Sequence, residues 1–315
     1  MSYLPPPWLK GGHMQTIYPA KMIRQPEIAY RRERWDTPDG DFIDLDWVDG
    51  KGPLFVLFHG LEGSSKSHYS LSLMHAVKNR GGRGVVVHFR GCSGEANLLP
   101  RAYHSGDSEE IDWILRRLRS LDEGKIHAAG ISLGGNALLK WLGESGNKAR
   151  EVIDKAAAIS APIDLAASGE ALGRGFNRTY TREFLRTLKE KILEKLARYP
   201  DIVDRKNLLA AQNFRQFDGL YTAPMHGFDN TDDYWNRASS KGGLPNISLP
   251  TLILNARNDP FLPAEALPGK TDVSEHVVLD YPEEGGHAGF VSGPFPGNLE
   301  WLPARLFDFF EKDQA

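Results

Sequence analysis

The 315-residue sequence predicts an α/β protein that carries an inserted, mainly helical cap. Short runs rich in β-branched and aromatic residues recur between helical patterns, and these runs end in glycine or in a turn cluster. Strands that alternate with crossover helices form a mostly parallel sheet. The cap is predicted from a stretch of roughly 85 residues between two strands, because loops in α/β units usually have about 2 to 6 residues.

The predicted elements follow one another along the whole chain. Two polar, alternating segments, at 31–36 and 41–49, precede the nearly continuous apolar run PLFVLFHG, which is typical of a buried parallel strand. The later elements are the helix HYSLSLMHAVKNRGG, the strand GVVVHFRG, the helix SEEIDWILRRLRSL, the strand KIHAAG, the helix NALLKWL, the strands KAAAIS, TLILNA and HVVLDY, and the helix WLPARLFDFFEKD.

We assign residues 1–162, with an N-terminal extension, and residues 247–315 to the α/β core, and residues 163–246 to the cap. Within the cap, TREFLRTLKEKILEKLARY has helical apolar spacing and alternating charges. The following QFDGLYTAPMHGFDNTDDYWNRASS is rich in aromatic and turn residues. A solvated surface excursion is the alternative, and the aromatic residues favour packing on the core.

Composition excludes several functional classes. The formal net charge of −3 provides no electrostatic basis for binding nucleic acid, and a single cysteine, Cys92, excludes an intramolecular disulfide and a zinc ribbon. The N-terminal sequence lacks the regions of a signal peptide, and no apolar run approaches the roughly 20 residues of a membrane span. We expect a cytoplasmic protein without stable membrane insertion. For the apolar residues Trp8, Met14, Ile17 and Tyr18 there are two alternatives, packing on the domain or contact with a membrane surface.

The central motif is G-x-S-x-G around Ser132. A predicted strand precedes it and a predicted helix follows it, which is the setting of a nucleophile elbow. On that sharp turn the serine takes an unfavourable backbone conformation, and the glycines let strand and helix approach closely. The N–H of Leu133 then lies at a helix N-terminus, where it can stabilise an oxyanion. The alternative is an ordinary serine N-cap.

A nucleophilic serine needs a histidine base and a carboxylate that orients it, here in the order serine, acid, histidine. Asp259 follows the strand TLILNA, and His287 lies in a glycine-rich loop after HVVLDY. We therefore predict the triad Ser132, Asp259 and His287. Asp164, which follows KAAAIS, is the rival acid, although Asp259 lies one strand nearer to the histidine loop.

The loop HGLEGSS after the strand PLFVLFHG is predicted to supply the second oxyanion donor, the backbone N–H of Leu61. His59, at the start of this loop, fits a loop-supporting role better than that of a base. His13, His104 and His226 lack metal-ligand spacing, so we expect hydrogen bonds that tie the N-terminal segment and the cap to the core. We expect no metal, and the absence of G-x-G-x-x-G before a helix argues against a dinucleotide cofactor.

The segments FHGLEGSS, GISLGG, NDPF and GGHAGF together resemble those of α/β-hydrolases. More narrowly, WLKGGHMQTIYP, FRGCSGEAN with YHSGDSEEID, and FDGLYTAPMHGFDNTDDYW resemble the YheT-like group, to which mammalian ABHD1 and ABHD3 proteins belong. The resemblance covers nearly the whole chain. It implies an eight-stranded, mostly parallel sheet with helices on both faces, the triad Ser132, Asp259 and His287, and hydrolysis of short- to medium-chain acyl or lipid esters.

We therefore expect a serine esterase that acts on a small-molecule ester through an acyl-enzyme, without a metal or an organic cofactor. A thioesterase or a peptidase would use the same triad, and a lyase on this fold could retain it. A non-catalytic binding protein on a hydrolase fold would normally have lost a triad residue, and none is missing from this sequence.

Overall fold

The computed structural model describes residues 2–312, so residues 1 and 313–315 of the predicted core lie outside the described residues. Within this range eight strands form one sheet in the order β1-β2-β4-β3-β5-β6-β7-β8. The strands are β1 Arg31–Asp36, β2 Phe42–Val48, β3 Leu54–Phe58, β4 Arg83–Val87, β5 Ile126–Ile131, β6 Lys155–Ile159, β7 Thr251–Leu254 and β8 Val277–Asp280. Strand β2 is antiparallel to β1 and β4, and the other pairs are parallel, which confirms the predicted fold class.

The described helices lie before, between and after these strands. They are α1 Gly12–Lys21, α2 His68–Asn79, α3 Ser108–Leu121, α4 Leu133–Ser145, α5 Leu165–Leu172, α6 Arg178–Leu196, α7 Arg205–Ala210, α8 Phe214–Phe217, α9 Ala223–Met225, α10 Thr231–Ala238 and α11 Trp301–Glu311. Short 3₁₀ turns occur at Gly146–Glu151, Gly175–Asn177, Lys241–Asn246, Ala264–Ala266 and Lys270–Asp272, and a π-helical turn, Asp218–Thr222, joins α8 to α9. None of the helices described has the length and hydrophobicity needed to cross a bilayer.

Strand β3 shows how the sheet separates two apolar layers. Successive side chains of a strand point to opposite faces. Val56 and Phe58 accordingly pack in the larger core with side chains of α3 and α4, whereas Phe55 and Leu57 pack in a second core with side chains of α2 and α11. Helices therefore cover both faces, and the loops that follow the parallel strands meet at one edge of the sheet.

Helix α1 is the element that the sequence pattern did not predict. It begins after the prolines at positions 5–7 and contains Pro19 near its end, and it turns both Gln15 and Pro19 toward the protein interior. Because apolar residues also occupy its outer side, the segment lacks the one-sided apolar pattern that identifies most surface helices.

The segment predicted as a cap contains helices α5 to α10, between β6 and β7. It has a small apolar cluster of its own, which includes Leu185, Ile192, Leu208 and Phe217. A second cluster joins Leu165 of α5 to Tyr234 and Trp235 of α10. The end of the segment packs on the main core, because Leu244 belongs to the larger sheet cluster.

Candidate active site

Ser132 lies on the turn between β5 and α4 with φ 53° and ψ −120°, a conformation that is strained for a residue with a side chain. Ser132 occupies the N-cap position of α4, but its side chain makes no capping hydrogen bond. The first turn of α4 also lies close to the end of β3. A Cβ atom on Gly134 would lie 2.5 Å from the carbonyl oxygen of His59, which explains the glycine there.

The structure brings Asp259 and His287 into contact at the ends of β7 and β8. Nδ1 of His287 lies 2.9 Å from Oδ2 and 3.1 Å from Oδ1 of Asp259. Because an ionised carboxylate only accepts hydrogen bonds, Nδ1 carries the proton and Nε2 is left as an acceptor. The Asp259 side chain is fully buried, and its Oδ1 also accepts the N–H of Phe261 at 2.8 Å. The Phe261 ring packs on the imidazole, with centroids 4.1 Å apart.

Ser132 and His287 line one cavity of about 130 Å³, together with Leu61 and Leu133. The Ser132 hydroxyl has no hydrogen-bond partner among residues 2–312, so the serine and the histidine share the cavity without a direct hydrogen bond. The remaining lining is mostly apolar and comes largely from the predicted cap, including Leu165, Leu172, Phe184, Leu188, Phe214 and Phe217.

Leu61 and Leu133, the predicted oxyanion donors, have backbone N–H groups without a hydrogen-bond partner in the described part of the chain. Leu133 is the first residue of α4, where the helix leaves its N–H groups unpaired. The N–H groups on either side of Leu61 are occupied. They donate to tyrosine hydroxyls, from Gly60 to Tyr69 at 3.0 Å and from Glu62 to Tyr103 at 2.8 Å.

Glu62 links this loop to the cap. It has a φ of 55°, so the loop is held in a left-handed conformation at this point. Its carboxylate accepts a hydrogen bond from the Tyr103 hydroxyl at 2.9 Å and pairs with Nζ of Lys191, on α6, at 2.7 Å. Tyr103 therefore bonds both the backbone and the side chain of Glu62, which restricts the loop beside Leu61.

The rival catalytic residues have other roles. Asp164 caps the N-terminus of α5 and pairs with Lys241 at 3.2 Å. His59 is completely buried, donates from Nδ1 to the carbonyl of Gly60 at 2.7 Å, and accepts the N–H of Phe89 at Nε2. Burial lowers the pKa of His59 to about 3, so the ring is neutral and supports the loop as expected.

The loop that carries His287 is fixed by contacts that sequence reasoning missed. Each backbone N–H of residues 285–288 donates to a side-chain oxygen. The acceptors, in that order, are Gln15 Oε1 (3.0 Å), Asn258 Oδ1 (3.0 Å), Thr16 Oγ1 (2.9 Å) and Ser160 Oγ (2.9 Å). Two of the four acceptors come from α1, some 270 residues away in the sequence.

Gln15 is fully buried and uses its whole amide group. Its Nε2 donates to the carbonyl of Leu9 at 2.9 Å and to Oε2 of Glu284 at 2.6 Å, while its Oε1 accepts from Asn258 as well as from Gly285. One side chain thus connects the loop of Asp259 with the loop of His287. The only sequence signal is a polar Gln-Thr pair within the motif GGHMQT, whose role the spacing does not reveal.

The three motif histidines form packing and hydrogen-bond contacts. His13 lies 3.3 Å from the hydroxyl of Tyr180 through Nδ1, which joins α1 to α6. The rings of His104 and His226 contact each other with centroids 4.3 Å apart, between the core and the cap. No group of three or more His, Cys, Asp or Glu side chains in residues 2–312 is placed to hold a metal ion.

Comparison with known proteins agrees with this architecture. Residues 53–294 match the family described as the alpha/beta hydrolase fold. The chain belongs to the α/β-hydrolase family. This α/β-hydrolase is 38% identical over 315 residues to YheT of Escherichia coli (strain K12), a protein named as a candidate esterase, with coverage of 98% of this chain and 92% of YheT. The predicted membership in the YheT-like group is thereby confirmed.

Other relatives of this α/β-hydrolase carry related names. The chain is 32% identical over 322 residues to the phospholipase ABHD3 of Mus musculus, covering 98% of this chain and 78% of that protein. Among solved structures, the Pyrococcus furiosus esterase Pf2001 superposes with a TM-score of 0.58 at 16% identity, covering 90% of this chain and 92% of that one. At this low sequence identity the superposition shows a shared fold and nothing about function.

Proposed function

We propose that this α/β-hydrolase cleaves carboxylic esters with Ser132 as nucleophile. The observation that carries the proposal is the convergence on one cavity of a strained serine, a histidine oriented by a buried aspartate, and two backbone N–H groups without partners. Esterase and phospholipase names among the relatives support ester hydrolysis over the other acyl transfers that the same residues can perform.

In the proposed mechanism, Ser132 Oγ attacks the ester carbonyl carbon while Nε2 of His287 takes the hydroxyl proton. Asp259 stabilises the resulting imidazolium, and the N–H groups of Leu61 and Leu133 donate to the tetrahedral oxyanion. Collapse transfers the proton from His287 to the departing alcohol and leaves the acyl group on Ser132. A water molecule deprotonated by His287 then attacks the acyl carbonyl, and the carboxylic acid leaves as the serine regains its proton.

We propose that residues 163–246 act as a cap that shapes the acyl site. Leucine and phenylalanine side chains of α5, α6 and α8 supply much of the cavity lining, which supports binding of an apolar acyl chain rather than a charged group. We also propose a cytoplasmic location, which the single, buried cysteine Cys92 supports because the chain needs no disulfide.

The test is hydrolysis of p-nitrophenyl esters from acetate to palmitate by the full chain, with Ser132→Ala as a parallel variant. We expect turnover whose kcat falls by about 10⁴-fold or more in the variant, because the nucleophile is lost while the fold is kept. Acyl-CoA thioesters and peptide anilides, assayed alongside, separate the alternative substrate classes. A folded Ser132→Ala protein with near-normal ester turnover would show that Ser132 is not the nucleophile.

A further inference from the structure

Helix α1 presents apolar side chains to the solvent as well as to the core. At 100° per residue, Met14, Ile17, Tyr18 and Lys21 lie along one side of α1, within about 100° of one another, and the buried Gln15 lies outside this sector. Met14 is 51% exposed, and Ile17 and Tyr18 are half-buried. A helix that only packs on a core normally turns polar residues outward. The outer side of α1 therefore differs from that of an ordinary surface helix.

Exposed aromatic residues extend this outer side in two directions. On one flank Phe176, 52% exposed, contacts the ring of His13 with centroids 4.7 Å apart. On the other flank Phe295, 73% exposed, contacts Trp8 at 5.5 Å, and Trp8 contacts Tyr18 at 5.2 Å. We name this patch the α1 surface; it comprises Met14, Ile17, Tyr18, Phe176 and Phe295.

The chain segment that carries α1 is basic. Residues 2–26 contain no aspartate or glutamate, although the whole chain has a formal net charge of −3. The same stretch carries Lys10, Lys21 and Arg24, and Arg178 lies two residues beyond Phe176; all four are exposed. None of these four forms an ion pair with another residue in the range 2–312. Their charge is thus available to an external anionic partner.

We infer that the α1 surface docks the protein on an anionic lipid bilayer. Exposed aromatic and aliphatic side chains enter the boundary between headgroups and acyl chains, while nearby lysines and arginines are attracted to anionic headgroups; a membrane-surface helix combines these two features. The inner side of the same helix holds the His287 loop through Gln15 and Thr16, so docking brings the active site to the membrane. The inference extends the proposed function without depending on it, since binding is measured without turnover.

The first test is flotation of the full chain with vesicles of phosphatidylcholine alone and of phosphatidylcholine containing about 30 mol% phosphatidylglycerol. We expect binding to the anionic vesicles that weakens as salt rises, because headgroup attraction is screened beyond about 10 Å at 0.1 M salt. The absence of binding to anionic vesicles at low salt would overturn the inference. Binding of equal strength to both vesicle types would refute the assigned role of the basic residues.

Variants then locate the contact. Met14→Ser combined with Phe176→Ser is expected to weaken partitioning by about tenfold or more, and Lys21→Gln or Arg24→Gln by about fivefold each. The matched controls are Leu121→Ser, at another exposed apolar residue, and Lys148→Gln; we expect both to bind like the unaltered protein.

Two further measurements complete the test. Thermal unfolding of each variant should match that of the unaltered protein, which shows that lost binding reflects the altered surface. Light scattering gives the mass in solution: we expect a monomer in every case. A dimer that the Met14 and Phe176 substitutions convert to a monomer would overturn the inference, because the α1 surface would then be a contact between two copies of the chain.

Discussion

Gln15 allows a direct test of how the loops of Asp259 and His287 are held in place. Replacing it by leucine keeps a side chain of similar size but removes every hydrogen bond of the amide. Three groups are then left unpaired in buried or part-buried positions: the N–H of Gly285, the Nδ2 amide group of Asn258 and the carbonyl of Leu9. The fourth partner, Glu284, is partly exposed and regains water.

Each buried group left without a partner costs about 1 to 3 kcal/mol, so we expect Gln15→Leu to lower the free energy of unfolding by about 3 kcal/mol or more. Because the loops of Asp259 and His287 lose a shared anchor, kcat/KM should also fall by about 10²-fold, the effect of a displacement of about 1 Å. Urea denaturation and steady-state ester hydrolysis measure the two quantities.

Gln25→Leu is the matched control in the same N-terminal segment. Its amide donates only to nearby carbonyls, those of Pro19 and Ile23, and contacts neither catalytic loop. We expect a smaller loss of stability, about 1 kcal/mol, with kcat/KM retained. If Gln15→Leu and Gln25→Leu had the same effect on kcat/KM, the reasoning that Gln15 positions Asp259 and His287 would be refuted.

Two further predictions concern the loop that contains Leu61 and the segment of residues 163–246. Tyr103→Phe removes the hydroxyl group that forms hydrogen bonds with Glu62, so the neighbouring N–H of Leu61 is held less firmly. We expect steady-state ester assays to show about a tenfold loss of kcat with little change in KM. The control is Tyr234→Phe, which lies in the same cavity but away from that loop. If Tyr103→Phe changed only KM, the role assigned to Tyr103 would be contradicted. Burial raises the pKa of Asp218 from 3.8 to about 6. The folded protein therefore holds this proton more tightly than the unfolded chain does. The free energy of unfolding should fall by roughly 3 kcal/mol as pH rises from about 4 to 7. Asp218→Asn should flatten that part of the profile in urea titrations at several pH values, and an unchanged profile would show that Asp218 does not cause it.

The order of strands and helices could be predicted because each core element carries a strong local pattern. Apolar runs such as LFVLF are buried on both faces, and α3 begins and ends at the predicted residues 108 and 121. The residues Ser132, Asp259 and His287 stand out for a similar reason, since each follows a predicted strand in the order that the chemistry requires. Their roles stay predictions until the variants are measured.

The contacts that position these residues could not be predicted in the same way. Thr16 and Ser160 accept hydrogen bonds from the backbone of His287 and Ala288, and nothing in the local sequence of either residue indicates a partner that lies more than 120 positions away. Helix α1 was missed because its two apolar sides remove the usual periodic signal. Local sequence patterns therefore do not predict long-range polar contacts or helices with atypical surfaces.

The anchoring of the His287 loop has a practical consequence for where the functional unit begins. The family match covers residues 53–294, yet Gln15 and Thr16, which bond the backbone of Gly285 and His287, lie well before it. A fragment trimmed to the matched range would retain Ser132, Asp259 and His287 while losing both of these acceptors, and the β-strands β1 and β2 with them. We therefore expect such a fragment to hold His287 less firmly than the full chain does, although it contains Ser132, Asp259 and His287.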